Sequence, residues 1–141
     1  MNRVRHILVI EDSEEDFETV LDAARCAGVT YEIRRATTGD EGLRLLCESA
    51  QSQYTSPALV LLDLNTPKDD GRHALLEIKQ NDLLRAIPLI VLTTSANPRD
   101  LAFCYANSAN AYHVKPVDHA VHLQVLQQIF SYWLSSVVLP K

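Results

Sequence analysis

The chain has only three cysteines, Cys26, Cys47 and Cys104. They are widely spaced, odd in number and form no CxxC pair, which argues against a disulfide framework or a zinc site and fits reduced cytosolic thiols. The five histidines are scattered, with no HExxH or HxxxH pattern, and read as solvated or core residues. No excess of basic charge is present: the net charge is -5, which argues against bulk affinity for nucleic acid or an anionic membrane. The opening MNRVRHILVIEDSEED turns acidic after a short apolar run, so it does not read as a signal peptide. Internal repeats, low-complexity tracts and linkers are also missing, and a cytoplasmic single domain of 1–141 is expected.

What is present is ordinary globular material. Of 141 residues, 47% are apolar and 22% charged, enough for a core without disulfide or metal staples. Short apolar runs alternate with segments of helical periodicity. Strands are expected at 6–12, 31–36, 58–63, 88–94 and 111–114, the second of them an edge strand. Helices are expected at 14–28, 39–50, 72–81, 98–107 and 118–138, with SQYTSP (52–57) as a polar loop. Continuous apolar strands alternating with helices imply a parallel sheet covered on both faces. Right-handed crossovers then point to a doubly wound (βα)5, flavodoxin-like fold of five parallel strands in order 2-1-3-4-5.

In such a sheet, ligands bind beyond the carboxyl ends of the strands. The first strand ends in Glu11 and Asp12, the third in Asp63, the fourth in Thr93 and Thr94, the fifth at Lys115-Pro116. Carboxylates crowded at one edge repel each other unless a cation lies among them, and Mg2+ suits a site of carboxylates, a carbonyl and waters. Carboxylate, metal, lysine and hydroxyl are the parts that stabilise a transferring phosphoryl group. A carboxylate can itself be the nucleophile, and Asp63, ending a central strand at the start of a loop, is the better placed one. Each residue alone has a plainer reading, as a turn former, helix cap or strand former. Four strand ends converging on one chemistry make a site.

These residues resemble the receiver domain of two-component response regulators. The resemblance spans the chain: VIEDS with Glu11 and Asp12, DLNTPKDDG with Asp63, Pro67, Asp70 and Gly71, VLTTS with Thr93, and AYHVKP with Tyr112, Lys115 and Pro116. The DLNTPKDDG form further resembles stand-alone receivers associated with cyanobacterial and bacterial phytochromes. The resemblance implies that Asp63 accepts a phosphoryl group from a sensor histidine kinase, and that the chain is a switch rather than an enzyme. It implies that Asp12, Asp63 and the carbonyl of Asn65 bind Mg2+ or another divalent cation such as Mn2+, with Glu11 acting through water. Lys115 would pair with the acceptor and then with the phosphoryl group, on a cis peptide to Pro116, while Thr93 and Tyr112 move as the switch. With no output domain, the chain would act by protein contacts, including a histidine phosphotransfer protein. Two departures stand out: Thr94 where a small residue is commoner, and SAN (108–110) where the family has GAN.

From Ala120 to Leu139 there is no Asp, Glu, Lys or Arg. Val121, Val125, Ile129 and Trp133 form one i, i+4 row, and Leu126, Phe130, Leu134 and Val138 the next. Polar interruptions argue against a membrane span. Apolar excess near the end points to a homodimer through Phe130, Trp133, Leu134 and Val138. Two other functions compete: a pseudo-receiver acting as an interaction module, and a haloacid-dehalogenase-like phosphatase. The phosphatase fits poorly, because Asn65 stands where its motif needs a second acid.

Overall fold

The computed structural model describes residues 4–65 and 71–140. Pro67 and Asp70 lie outside the described residues. Strands β1 (Val4–Ile10), β2 (Glu32–Ala36), β3 (Thr55–Leu62), β4 (Leu89–Thr93) and β5 (Ala111–Val114) alternate with helices α1 (Glu14–Cys26), α2 (Gly39–Gln51), α3 (Gly71–Gln80), α4 (Pro98–Ala106) and α5 (His119–Ser131). All strand pairs are parallel, in the order β2-β1-β3-β4-β5, as the alternation of runs predicts.

The strand pleat sorts the apolar residues onto two faces. Ile7, Val9, Leu59, Leu61, Ile90 and Leu92 meet Val20 and Ala23 of α1 and Leu126, Ile129 and Phe130 of α5. Leu8, Ile10, Val60, Leu62, Leu89 and Val91 meet Leu46, Leu75, Ile78 and Cys104 on the other side. The central strands are apolar at consecutive positions because both of their faces are covered. Burial pushes the Cys104 thiol up to about 11, whereas Cys26 and Cys47 are exposed.

Three expectations are corrected. First, β3 begins at Thr55, inside the segment read as a polar loop. His6 pairs with Pro57 and Ile7 with Leu59, so Ala58 is bulged out, and a bulge is where a strand tolerates proline. His6 Nδ1 and Thr55 Oγ1 share a hydrogen bond of 2.9 Å across this start. Second, the last helix does not run unbroken to 138. After Ser131 it widens into a π turn, Tyr132–Ser136, closed by the Val137 N–H donating to the Tyr132 carbonyl at 2.9 Å. The extra residue per turn shifts the phase of the apolar rows. Val138 ends 94% exposed, and Trp133 and Leu134 pack half-buried against the core. Phe130, expected at a dimer interface, is 1% exposed and belongs to the core under α1 and α5. Third, no cis peptide occurs among the described residues, so the Lys115–Pro116 bond is trans, the isomer X-Pro bonds favour by about 0.5–1 kcal/mol.

The missing glycine of SAN has a visible consequence. Ser108, between α4 and β5, sits at φ +72° in the left-handed region that favours glycine.

Candidate functional site

At the carboxyl edge of the sheet the ends of β1, β3, β4 and β5 converge. Asp63 follows the last residue of β3, and its N–H donates to the Ile10 carbonyl at 3.0 Å, which ties Asp63 to β1. Glu11 follows β1, and its N–H donates to the Ala36 carbonyl of β2 at 2.9 Å. Lys115 follows β5, and its N–H donates to the Thr93 carbonyl at 2.7 Å. The ladder therefore sets these backbones before any side chain is considered.

Lys115 Nζ reaches three carboxylates: Glu11 Oε1 at 2.5 Å, Asp16 Oδ2 at 2.8 Å and Asp63 Oδ2 at 3.1 Å. Lys115, Glu11 and Asp63 are all buried. Burial pushes the Glu11 carboxyl up to about 7; Lys115 opposes the rise and Asp63 adds to it. For Lys115 burial acts downward, but the charge of Glu11, the hydrogen bond to Asp16 and the charge of Asp63 outweigh it and hold the ammonium above its usual range. The acids need positive charge and the lysine supplies only part of it.

Glu11, Asp12 and Asp63 each offer an oxygen within 4.8 Å of the others, with Asp12 the most open. Hard oxygen donors at that spacing, carrying more negative charge than Lys115 neutralises, fit a divalent cation. Asn65 is exposed; its N–H donates to Asp63 Oδ1 at 3.1 Å and its side-chain amide to Thr93 Oγ1 at 3.1 Å. Thr93 is fully buried, and its hydroxyl also accepts from the Ser95 N–H at 3.2 Å. Tyr112, half-buried, donates its hydroxyl to the Ser95 carbonyl at 2.9 Å. Ser95 in turn donates to Asp100 Oδ2 at 2.5 Å, and Asp100 pairs with Arg72 in the first turn of α3. Pro116 is half-buried beside Lys115, and Thr94 faces solvent.

Gly71, the first residue of α3, lies against the backbone that follows β3. Its N–H donates to the Leu64 carbonyl at 2.9 Å, and a Cβ there would lie 2.7 Å from the Asp63 carbonyl oxygen and 2.8 Å from Leu64 Cα. Both neighbours are backbone, so only glycine fits.

The structure brings together Glu11, Asp12, Asp63, Asn65, Thr93 and Lys115, and adds Asp16, which the reading of strand ends missed. Asp16 sits in the first turn of α1, where its N–H donates to the cap Ser13 Oγ at 3.2 Å. The cap aims the following carboxylate back over the strand ends. The signal was the position of Asp16 one helical turn after Asp12 in EDSEED, where Ser13 reads as an N-cap.

The response regulator receiver domain family model matches residues 7–127. The chain belongs to this family. The receiver is 36% identical over 140 residues to the response regulator Rcp1 of Synechocystis sp., covering 99% of this chain and 95% of that protein. Its fold superposes on the phosphorylated cyanobacterial phytochrome response regulator RcpA with a TM-score of 0.89 at 33% identity, covering 99% and 100% of the two chains. It superposes on the Mn(2+)-bound form of Rcp1 with a TM-score of 0.88 at 38% identity, covering 96% and 98%. This receiver is therefore a response regulator with the flavodoxin-like fold, similar to phytochrome response regulators. No helix among its described residues is long and apolar enough to cross a membrane.

Proposed function

We propose that this chain is a phosphorylation switch in which Asp63 accepts a phosphoryl group from the phosphohistidine of a sensor histidine kinase. The observation that carries this reading is the buried Lys115 ammonium bonded to the Asp63 carboxylate within the acidic cluster. A carboxylate oxygen of Asp63 attacks phosphorus, the P–N bond breaks, and the imidazole leaves with the electron pair and takes up a proton. Lys115 exchanges its bond to Asp63 for one to a phosphoryl oxygen. The Thr93 hydroxyl leaves Asn65 to donate to another oxygen, and Tyr112 follows through Ser95.

Glu11, Asp12, Asp63 and the carbonyl of Asn65 are the residues that would hold Mg2+ or Mn2+. The cation, when bound, neutralises charge on the phosphoryl oxygens. The Mn(2+)-bound form of Rcp1 supports this assignment by similarity.

Phytochrome response regulators among the similar structures make a phytochrome-type sensor kinase the proposed donor. The switch acts in the cytoplasm through this receiver domain. It signals by protein contacts, including phosphorelay to a histidine phosphotransfer protein, and catalyses no small-molecule turnover. A second copy of the chain is a further proposed partner. Val114, Val117 and Val121 are exposed where β5 leads into α5, and Val138 is exposed beyond the π turn. Light scattering that returns only monomer would remove the dimer.

Incubation with acetyl phosphate and Mg2+, followed by intact mass measurement, tests the main reading. A phosphate adduct on the wild type that is absent from Asp63→Asn is expected. No adduct in the presence of any divalent cation would refute it and favour a pseudo-receiver.

A further inference from the structure

Glu11 and Asp12 lie past the last paired position of β1, Ile10 opposite Ala36, so the ladder does not hold their carbonyls. A side chain from the sheet edge does. Arg35 of β2 donates from Nε to the Glu11 carbonyl at 2.9 Å and from Nη2 to the Asp12 carbonyl at 3.0 Å. Its Nη1 pairs with Glu14, and its guanidinium carbon lies 4.9 Å from the centroid of the Phe17 ring. The guanidinium is thus fixed on α1 and has its fork turned onto the backbone of the two acids.

We propose that Arg35 is a positioning residue for the divalent cation: by fixing the Glu11 and Asp12 carbonyls it sets the direction in which their carboxylates face the metal. This rests on the reading above that the acidic cluster binds a divalent cation. The Glu11 backbone is held from both sides, by its N–H on Ala36 and its carbonyl on Arg35, while its carboxylate accepts from Lys115 and from the Ser13 N–H. A cation next to metal-binding carboxylates would, by charge alone, weaken metal binding. Glu14 offsets that charge, and the fork supplies geometry. Charge and geometry therefore act on metal affinity with opposite signs, which makes the role measurable.

The experiment is calorimetric titration of the metal-free chain with Mn2+, comparing wild type, Arg35→Lys, Arg35→Gln and Asp12→Asn. Urea midpoints are measured in parallel. Lys keeps the charge and loses the fork; Gln loses both. Positioning predicts that both variants bind Mn2+ about tenfold or more weakly, the usual cost of losing a partner that orients metal ligands. Arg35→Gln binding as tightly as wild type, or tighter, would show that only charge matters and overturn the proposal. A lowered urea midpoint with unchanged Mn2+ affinity in Arg35→Lys would reduce Arg35 to a structural role and overturn it equally. A wild type that binds no Mn2+, or binds it undiminished in Asp12→Asn, would overturn the metal reading and the positioning proposal together.

Discussion

Lys115→Met in the metal-free protein should be most destabilising at alkaline pH and nearly harmless in acid. Methionine keeps most of the side-chain volume but leaves Glu11 and Asp63 buried, facing each other without a counter-charge. Removing one partner of a buried pair costs about 3–5 kcal/mol, and the lower end applies here because the Asp16 side of the cluster is open to water. At about 2 kcal/mol per molar urea, a loss of ~3 kcal/mol lowers the midpoint by ~1.5 M at pH 8. Glu11 titrates near 7 in the folded protein, above the ordinary carboxyl range it has when unfolded. The folded state therefore binds the extra proton between those two values, and stability falls as pH rises through the window. Without Lys115, which opposes the rise, that dependence steepens. At pH 5 Glu11 is protonated, the repulsion is relieved, and the penalty shrinks to about 1 kcal/mol, that of a neutral hydrogen bond. Urea titrations of wild type and variant at pH 5 and pH 8 measure the difference. Millimolar Mg2+ at pH 8 should stabilise the variant more than the wild type, because the ion supplies the missing charge. Equal penalties at both pH values would refute the charge argument and make Lys115 a packing residue.

Three further outcomes follow from single positions. Gly71→Ala should push the backbone of Asp63 and Leu64 apart from α3, at a cost of about 1–3 kcal/mol for overpacking, with slower labelling by acetyl phosphate; an unchanged melting temperature and labelling rate would contradict it. Ser108→Gly should stabilise by about 0.5–1 kcal/mol, since the left-handed strain relieved exceeds the entropy that glycine adds to the unfolded chain. Calorimetry should show a melting temperature higher by ~2–3 °C. Burial, with Arg34 adding to it against Glu32, lowers His6 to about 4. The folded chain then binds fewer protons than the unfolded one, so the stability His6 contributes is present above about 6.5 and lost as pH falls toward 4. His6→Gln should flatten that limb by about 1–2 kcal/mol after allowance for solvent screening, read from urea midpoints at pH 7 and pH 5.

The sequence by itself determined the element order, the parallel sheet and the strand-end residues of the site. The physical reason is local. A central strand buried on both faces must be apolar at consecutive positions, and where polarity returns the strand has reached its edge. In a parallel doubly wound sheet every such edge falls on the same side, so Glu11, Asp63, Thr93 and Lys115 could be assembled before any distance was known. The tertiary structure alone decided what reaches that edge from elsewhere. Arg35 arrives because β2 lies beside β1. The Asn65 amide finds Thr93 because β3 and β4 are neighbours. The bulge at Ala58, the π turn after Ser131 and the burial of Phe130 were likewise invisible, since each depends on register or helical phase. Residue types announce the chemistry of this site, but long side chains crossing between elements set its geometry, and those crossings exist only once the sheet has formed.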